Sequence, residues 1–367
     1  GITMQALTGE LQIDGVLDTV MDINLASAST LTNGTSMTSE QGSIRLESYQ
    51  SDVVSLASLS AADLVLLQAD NGAVFSMADV QATDVTISAA SGVEISGNVE
   101  AASSFNAIAS AGNIAVSGDT IEGDTLSLTA LAGSIDASSS FIGQSVDIDA
   151  ANNLTLTGDV TAATSALAGA GGELTLTAGN GPLVVTGDLV GTTILLTSTA
   201  GAIDATSNMS ATTISFDAGT DLTLAGDITA VDTLTLDATD ALDYSGNATS
   251  QGDVILTGQS ITMNSGSLNG AAVEVTSPGA VALTGDVTSD TTISVDAGTD
   301  LTLAGDITAV DTLTLNATDA LDYLGNATSQ GDVTLTAGNG PLVVNGDLDG
   351  TTILLTSTAG AIDATSN

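Results

Sequence analysis

The chain has 367 residues, 43% of them hydrophobic, with 44 acidic side chains against a single basic one, and it contains no His, Cys or Trp. The lack of Cys excludes disulfide staples and thiolate metal sites, and the lack of His removes the commonest general base and transition-metal ligand. One cation, Arg45, cannot clamp phosphate, which argues against nucleic acid as a partner.

In chain order the predicted elements are short strands throughout. Residues 1–75 alternate apolar and polar positions, with the clearest inward pairs at Ile23/Leu25, Ile44/Leu46 and Leu64/Leu66 and a blurred spacing between them. From 76 onward the pattern sharpens into apolar-x-apolar-x-Gly-Asp, as in Leu154-Thr155-Leu156-Thr157-Gly158-Asp159. Its corner residue recurs at Asp79, Asn98, Asp119, Ser140, Asp159, Asp188, Asn208, Asp227, Asn247, Gly266, Asp286, Asp306, Asn326, Asp347 and Asn367, in steps of 19–21 with one step of 29. The long step contains residues 161–173, rich in Ala and Gly, which read as a loop insertion. A second alternating strand precedes each corner, with inward pairs Leu174/Leu176, Ile214/Phe216, Leu234/Leu236, Val273/Val275, Ile293/Val295 and Leu313/Leu315. A third, short strand follows the corner at Val160, Leu189, Ile228, Val287, Ile307 and Leu348.

A longer repeat overlies this period. Residues 217–254 return at 296–333 with two changes, Asp237 to Asn316 and Ser245 to Leu324, and most of 177–208 returns at 336–367. The offsets, 79 and 159, are about four and eight periods. Short strands repeating every 20 residues or so, without helices, predict an all-β fold: a right-handed parallel β-helix, or β-solenoid, of about 18 coils. At about 4.8 Å per coil this would be a stiff rod of roughly 85–90 Å. The whole of 1–367 reads as a single continuous solenoid, with less regular coils over 1–75 and regular coils over 76–367. Because it stops inside a repeat, the chain reads as a fragment of something longer. No apolar run reaches the roughly 18 residues a membrane helix needs, so no membrane insertion is expected.

The runs LTLTGDVTA, GNGPLVVTGDL, STAGAIDATSN and GNIAVSGD resemble the repeats of filamentous-haemagglutinin-like bacterial exoproteins, the large adhesins of two-partner secretion. The resemblance implies a right-handed parallel β-helix, export to the cell surface or medium, and a role in adhesion or biofilm cohesion. The extreme acidity departs from that pattern, and neither a secretion domain nor an effector domain is visible.

Candidate chemistry centres on the corners. Asp159, Asp188, Asp227, Asp286, Asp306 and Asp347 occupy equivalent positions, and a ladder of carboxylates about one strand spacing apart could hold calcium through its oxygens. The alternative is turn chemistry, Asp and Asn bonding to nearby backbone amides. The calcium-roll nonapeptide GGxGxDxUx is absent. Pairs such as Asp240/Asp243 and Asp319/Asp322 could be drawn as a carbohydrate-cleaving site, but they are copied with the 79-residue repeat and have no Lys, His or Arg cluster beside them. An ice-binding Thr array is interrupted by Leu195, Glu274 and Leu354. Gly-Asn-Gly at 179–181 and 338–340 reads as a turn, the sequons at Asn247 and Asn326 as products of an Asn- and Thr-rich repeat, and Tyr244 and Tyr323 as core. The expected function is therefore that of an extracellular, non-catalytic structural or adhesive filament protein, without a cofactor unless calcium occupies the ladder. Its expected partners are further copies of itself, end to end or lateral, and host or matrix carbohydrate or protein. The alternatives are a calcium-dependent surface-layer or sheath component and, more distantly, a carbohydrate-acting β-helix enzyme.

Overall fold

A computed structural model describes residues 1–163 and 172–365. The described residues form strands joined by short turns, with no helix. Among the described residues the strands stack in parallel, as in Ile23–Ser27 on Ile44–Ser48, and the chain winds as a β-solenoid of about 18 turns. Two compact units are distinguished, Gly1–Thr193 and Ile194–Asn367.

In the first unit most coils carry three separate strands, although Val80–Ala89 and Val99–Ala109 run through a corner. The second coil shows the plan: Ile23–Ser27, Leu31–Asn33 and Met37–Ser39. Each strand pairs with its counterpart about 20 residues on, as in Ile23↔Ile44, Leu31↔Val53 and Met37↔Leu59. Alternate side chains point inward, so like stacks on like: Val146, Leu174 and their neighbours Ile148 and Leu176 are at most 1% exposed. Burying one such side chain contributes about 1.5–3 kcal/mol, and no coil can do so without the next. In the irregular stretch, Ile23/Leu25 and Ile44/Leu46 are inward as expected, but Leu64/Leu66 are not. Val65 and Leu67 are the buried pair, in register with Ile44 and Leu46 below and Val85 and Ile87 above. The run Leu64–Leu67 is apolar at every position, so alternation could not decide its phase; the neighbouring coils do.

The second unit repeats the plan, again with some strands that run through a corner, such as Met209–Ala218, Ile228–Ala238 and Ala241–Ser250. Within it Ile214/Phe216, Leu234/Leu236, Ile293/Val295 and Leu313/Leu315 are all buried, as are Tyr244 and Tyr323. Of the insertion expected near 161–173, residues 161–162 end the strand Val160–Ala162 and Glu173 opens the strand Glu173–Ala178. Residues 164–171, and the last corner, Asn367, lie outside the described residues.

Candidate functional site

The corner acids form a hydrogen-bond ladder whose partners are one coil apart. Asp159 Oδ1 accepts the Asp188 amide at 2.9 Å. In the second unit Asp227 Oδ1 accepts the Asn247 amide at 2.9 Å and its side-chain amide at 3.0 Å. Asp286 Oδ1 accepts the Asp306 amide at 2.9 Å, and Asp306 Oδ1 accepts both the backbone and side-chain nitrogens of Asn326, at 2.8 and 3.1 Å. Asn does the same work: Asn98 accepts the Asp119 amide at 2.9 Å, Asn208 that of Asp227 at 3.1 Å, and Asn326 that of Asp347 at 3.1 Å. The rule is directional, a side-chain oxygen of one coil capping the N–H of the corner residue in the next. The turn role expected for these residues therefore extends across coils rather than staying within one turn.

Where a glycine precedes the corner, as at most of them, it has a matching reason. A Cβ at Gly305 or Gly325 would lie 2.1 or 2.0 Å from the carbonyl oxygen of the glycine one coil back, closer than any side chain allows. Gly-Asp is thus a close approach followed by a cap. Two corners shift by a residue from the sequence pattern. Thr120 rather than Asp119 pairs with Ser140, on the strand where Ile121 pairs with Val99. Asn247 pairs with Ser267, which pairs with Asp286, so Ser267 rather than Gly266 holds that ladder position.

The same cap occurs before the other strands. Asp52 accepts the Ala73 amide at 2.8 Å, Asp221 that of Ala241 at 3.1 Å and Asp300 that of Ala320 at 3.1 Å, each ahead of the middle strand of its coil. Asp22 and Asp253 accept the Ser43 and Ala272 amides at 2.9 and 3.2 Å ahead of the first strand. Buried serines complete the corners from inside. Ser250 donates to the Asp232 carbonyl at 3.1 Å and accepts the Gly252 amide at 3.1 Å, and Ser329 does likewise with Asp311 and Gly331 at 2.9 and 3.1 Å. These serines were not singled out from the sequence, where their only signal is a small polar residue at an inward strand end.

All six ladder acids are exposed, and among the described residues no group of three or more Asp or Glu side chains is placed to hold a metal ion. Asp240 lies in a turn and Asp243 faces outward on a middle strand between Thr223 and Thr262. Asp322 sits likewise between Thr302 and Val343, with one oxygen buried and unpartnered. Ser294, Thr314 and Thr334 are adjacent in register, but Glu274 and Leu354 bound them. Gly179–Gly181 bends between Glu173–Ala178 and Leu183–Val185. Asn247 and Asn326 give their side-chain nitrogens to the ladder.

Two titratable groups stand out by environment. Burial holds the Tyr244 and Tyr323 phenols well above the usual tyrosine range, reinforced by Asp227 and Asp306 respectively. Tyr244 donates to the Gly226 carbonyl at 3.2 Å; the Tyr323 hydroxyl has no partner, and the Ile307 amide near it is already given to the Asn326 carbonyl at 2.8 Å. Both tyrosines are fully buried, which removes them as sugar-stacking platforms. On the outward face of the strand Ser145–Ala150, loss of water around the carboxyl, then Asp149 and Glu173, raise the Asp147 pKa.

Compared with known protein families, the chain matches no family model. It matches neither a curated protein nor a solved structure.

Proposed function

We propose that this chain is a non-catalytic structural and adhesive solenoid of the bacterial cell exterior, akin to the filamentous-haemagglutinin-like exoproteins. The observation that carries the reading is what the 79-residue duplication copies. Asp227 and Asp306 cap Asn247 and Asn326 with the same two bonds. Asp221 and Asp300 each cap an alanine amide at 3.1 Å. Ser250 and Ser329 close their corners through the same pair of contacts. The duplicated polar residues therefore serve coil closure and coil stacking. A scaffold is lengthened by copying such coils, because each contacts chiefly its neighbours; a catalytic centre gains nothing from it.

Charge supports the same reading. A net charge of −43 keeps a repetitive, strand-rich chain soluble and discourages contact with anionic surfaces. The single basic residue leaves trypsin-like proteases one cleavage point. In this role the chain works by presenting repeated outward faces to host or matrix carbohydrate or protein, and by associating with further copies of itself. Immunogold labelling of intact, unpermeabilised cells that encode the chain tests the reading. Label on the cell surface or in shed material is the expected result, with weaker cell–cell aggregation in a deletion strain. Label confined to the cytoplasm of sectioned cells would overturn it.

A further inference from the structure

The outward faces of most coils carry short Thr, Ser and Asp side chains, but the first three coils differ. Their first strands, Ile2–Ala6, Ile23–Ser27 and Ile44–Ser48, lie side by side. Their register places Thr3, Asn24 and Arg45 in one outward row and Gln5, Ala26 and Glu47 in the next. Ala26 is the shortest of its row. A hollow opens above its methyl group, between Gln5 and Glu47, whose strands are two spacings, about 9.6 Å, apart. The hollow measures about 190 Å³ and is bordered by Tyr49. That is room for one small ring, below the roughly 300 Å³ at which drug-sized pockets begin.

Its chemistry is found nowhere else in the chain. Arg45 is the only basic side chain, and among the described residues its guanidinium reaches only Asn24 Oδ1, at 3.5 Å. Tyr49 is 41% exposed, whereas Tyr244 and Tyr323 are 0% exposed. The Tyr49 backbone is fixed, its N–H donating to the Ser27 carbonyl at 3.0 Å and its carbonyl accepting from Asn71 Nδ2 at 2.6 Å. The ring is therefore held at the rim without belonging to the core.

We propose that this hollow binds one ring of a neutral saccharide. The inference rests on the adhesive reading above and names its ligand class. Sugar hydroxyls donate and accept together, and the lining supplies both: a fork of donors from Arg45, acceptors from Glu47, and amides that do either from Gln5 and Asn24. The Tyr49 face offers an apolar surface to the C–H face of a pyranose while its hydroxyl stays wet. A neutral ring is favoured over an acidic one because Glu47 shares the face with Arg45 and the net charge of −43 opposes an approaching anion. One ring in so open a hollow binds weakly, and many chains on one surface make the contact effective.

Saturation-transfer NMR on the full chain tests this, using the methyl glycosides of glucose, galactose, mannose and N-acetylglucosamine, with sodium glucuronate as the acidic comparison. At least one neutral glycoside should bind saturably. Arg45→Gln and Tyr49→Ala should each weaken it by about tenfold or more, and Tyr49→Phe by no more than about twofold. All three should melt as the parent does, since these side chains point outward; Glu47→Gln replaces any variant that melts early. The proposal is overturned if no neutral glycoside saturates, if either Arg45→Gln or Tyr49→Ala leaves binding intact, or if glucuronate alone binds. Cell-surface labelling remains independent of all three results, so a chain found outside the cell with an empty hollow defeats this inference and not the adhesive reading.

Discussion

Asp306 is exposed, yet it joins two coils by accepting both nitrogens of Asn326. Asp306→Ala should lower stability by about 1 kcal/mol, the usual net value of such a bond. Asp306→Asn should be nearly neutral, because Asn98, Asn208 and Asn326 already cap corners; chemical denaturation of the two variants separates them. With Asp286 and Asp306 each accepting a backbone amide at Oδ1, melting should be the same in calcium and in EDTA. A fall of many degrees in EDTA would instead assign an ion to the ladder. The two buried tyrosines give a sharper contrast. Tyr323→Phe removes a hydroxyl without a partner and should be neutral or stabilise by about 1 kcal/mol, whereas Tyr244→Phe loses the bond to Gly226 and should cost up to about 1 kcal/mol. Both phenols titrate above their unfolded value. The stability they contribute is therefore full below about pH 10 and is lost as pH rises beyond it toward the folded value. The double Phe variant should unfold less steeply with alkali.

At the scale of the strand and corner, what could be read in advance depended on whether the neighbouring coil was needed. Leu174/Leu176 or Leu313/Leu315 declare their face by alternation alone, and they are buried as expected. Leu64–Leu67 does not, and its phase is fixed by Ile44 and Val85 on either side. The Gly-Asp corners were visible, but not the partner of each Asp, which lies 20 or so residues away and appears only once the register is known. For the same reason the caps at Asp52, Asp221 and Asp300, the Ser250 and Ser329 closures, and the hollow beneath Arg45 were not legible: each is made by residues of two or three coils. Stacking also brings like charges together. Asp147 has its pKa raised, first by loss of water and then by Asp149 and by Glu173 on the next coil. Its folded value exceeds its unfolded one, so its contribution favours folding at pH below the unfolded value of about 3.9 and is lost as pH rises through the folded value. Asp147→Asn should therefore raise the melting temperature at pH 7, and the gain should vanish near pH 3. A gain that persists at pH 3 would mean that something other than charge was relieved.

At the scale of the whole molecule, repetition makes the fold a sum of near-equal parts, and this can be tested by subtraction. Within the second unit, residues 217–254 and 296–333 differ at two positions and share the inter-coil caps made by Asp227 and Asp306 and by Asp221 and Asp300. Removing residues 238–316 takes out 79 positions and joins Asp237 to Ala317, the partners that Asp237–Ala238 and Asn316–Ala317 already are. The strand formed across the join keeps Leu234 and Leu236 inward and leads into the turn at Thr318 as it now leads into Thr239. Every coil that remains still meets a neighbour of the kind it had, so a chain about four coils shorter should fold with unchanged β-content per residue. Its melting temperature should shift by only a few degrees, because the nearest-neighbour terms set local stability. A deletion one residue longer, 238–317, is the control. It advances the phase by one, so the next inward position of that strand receives Thr318 in place of Ala317, and the turn beyond it starts a residue early. Circular dichroism and limited proteolysis should find the first deletion intact and the second destabilised at the join. If both are equally stable, the coils tolerate a register slip and the corner caps do not set the phase. If both collapse, the 79-residue copies are not interchangeable, and coil identity depends on contacts beyond the nearest neighbour.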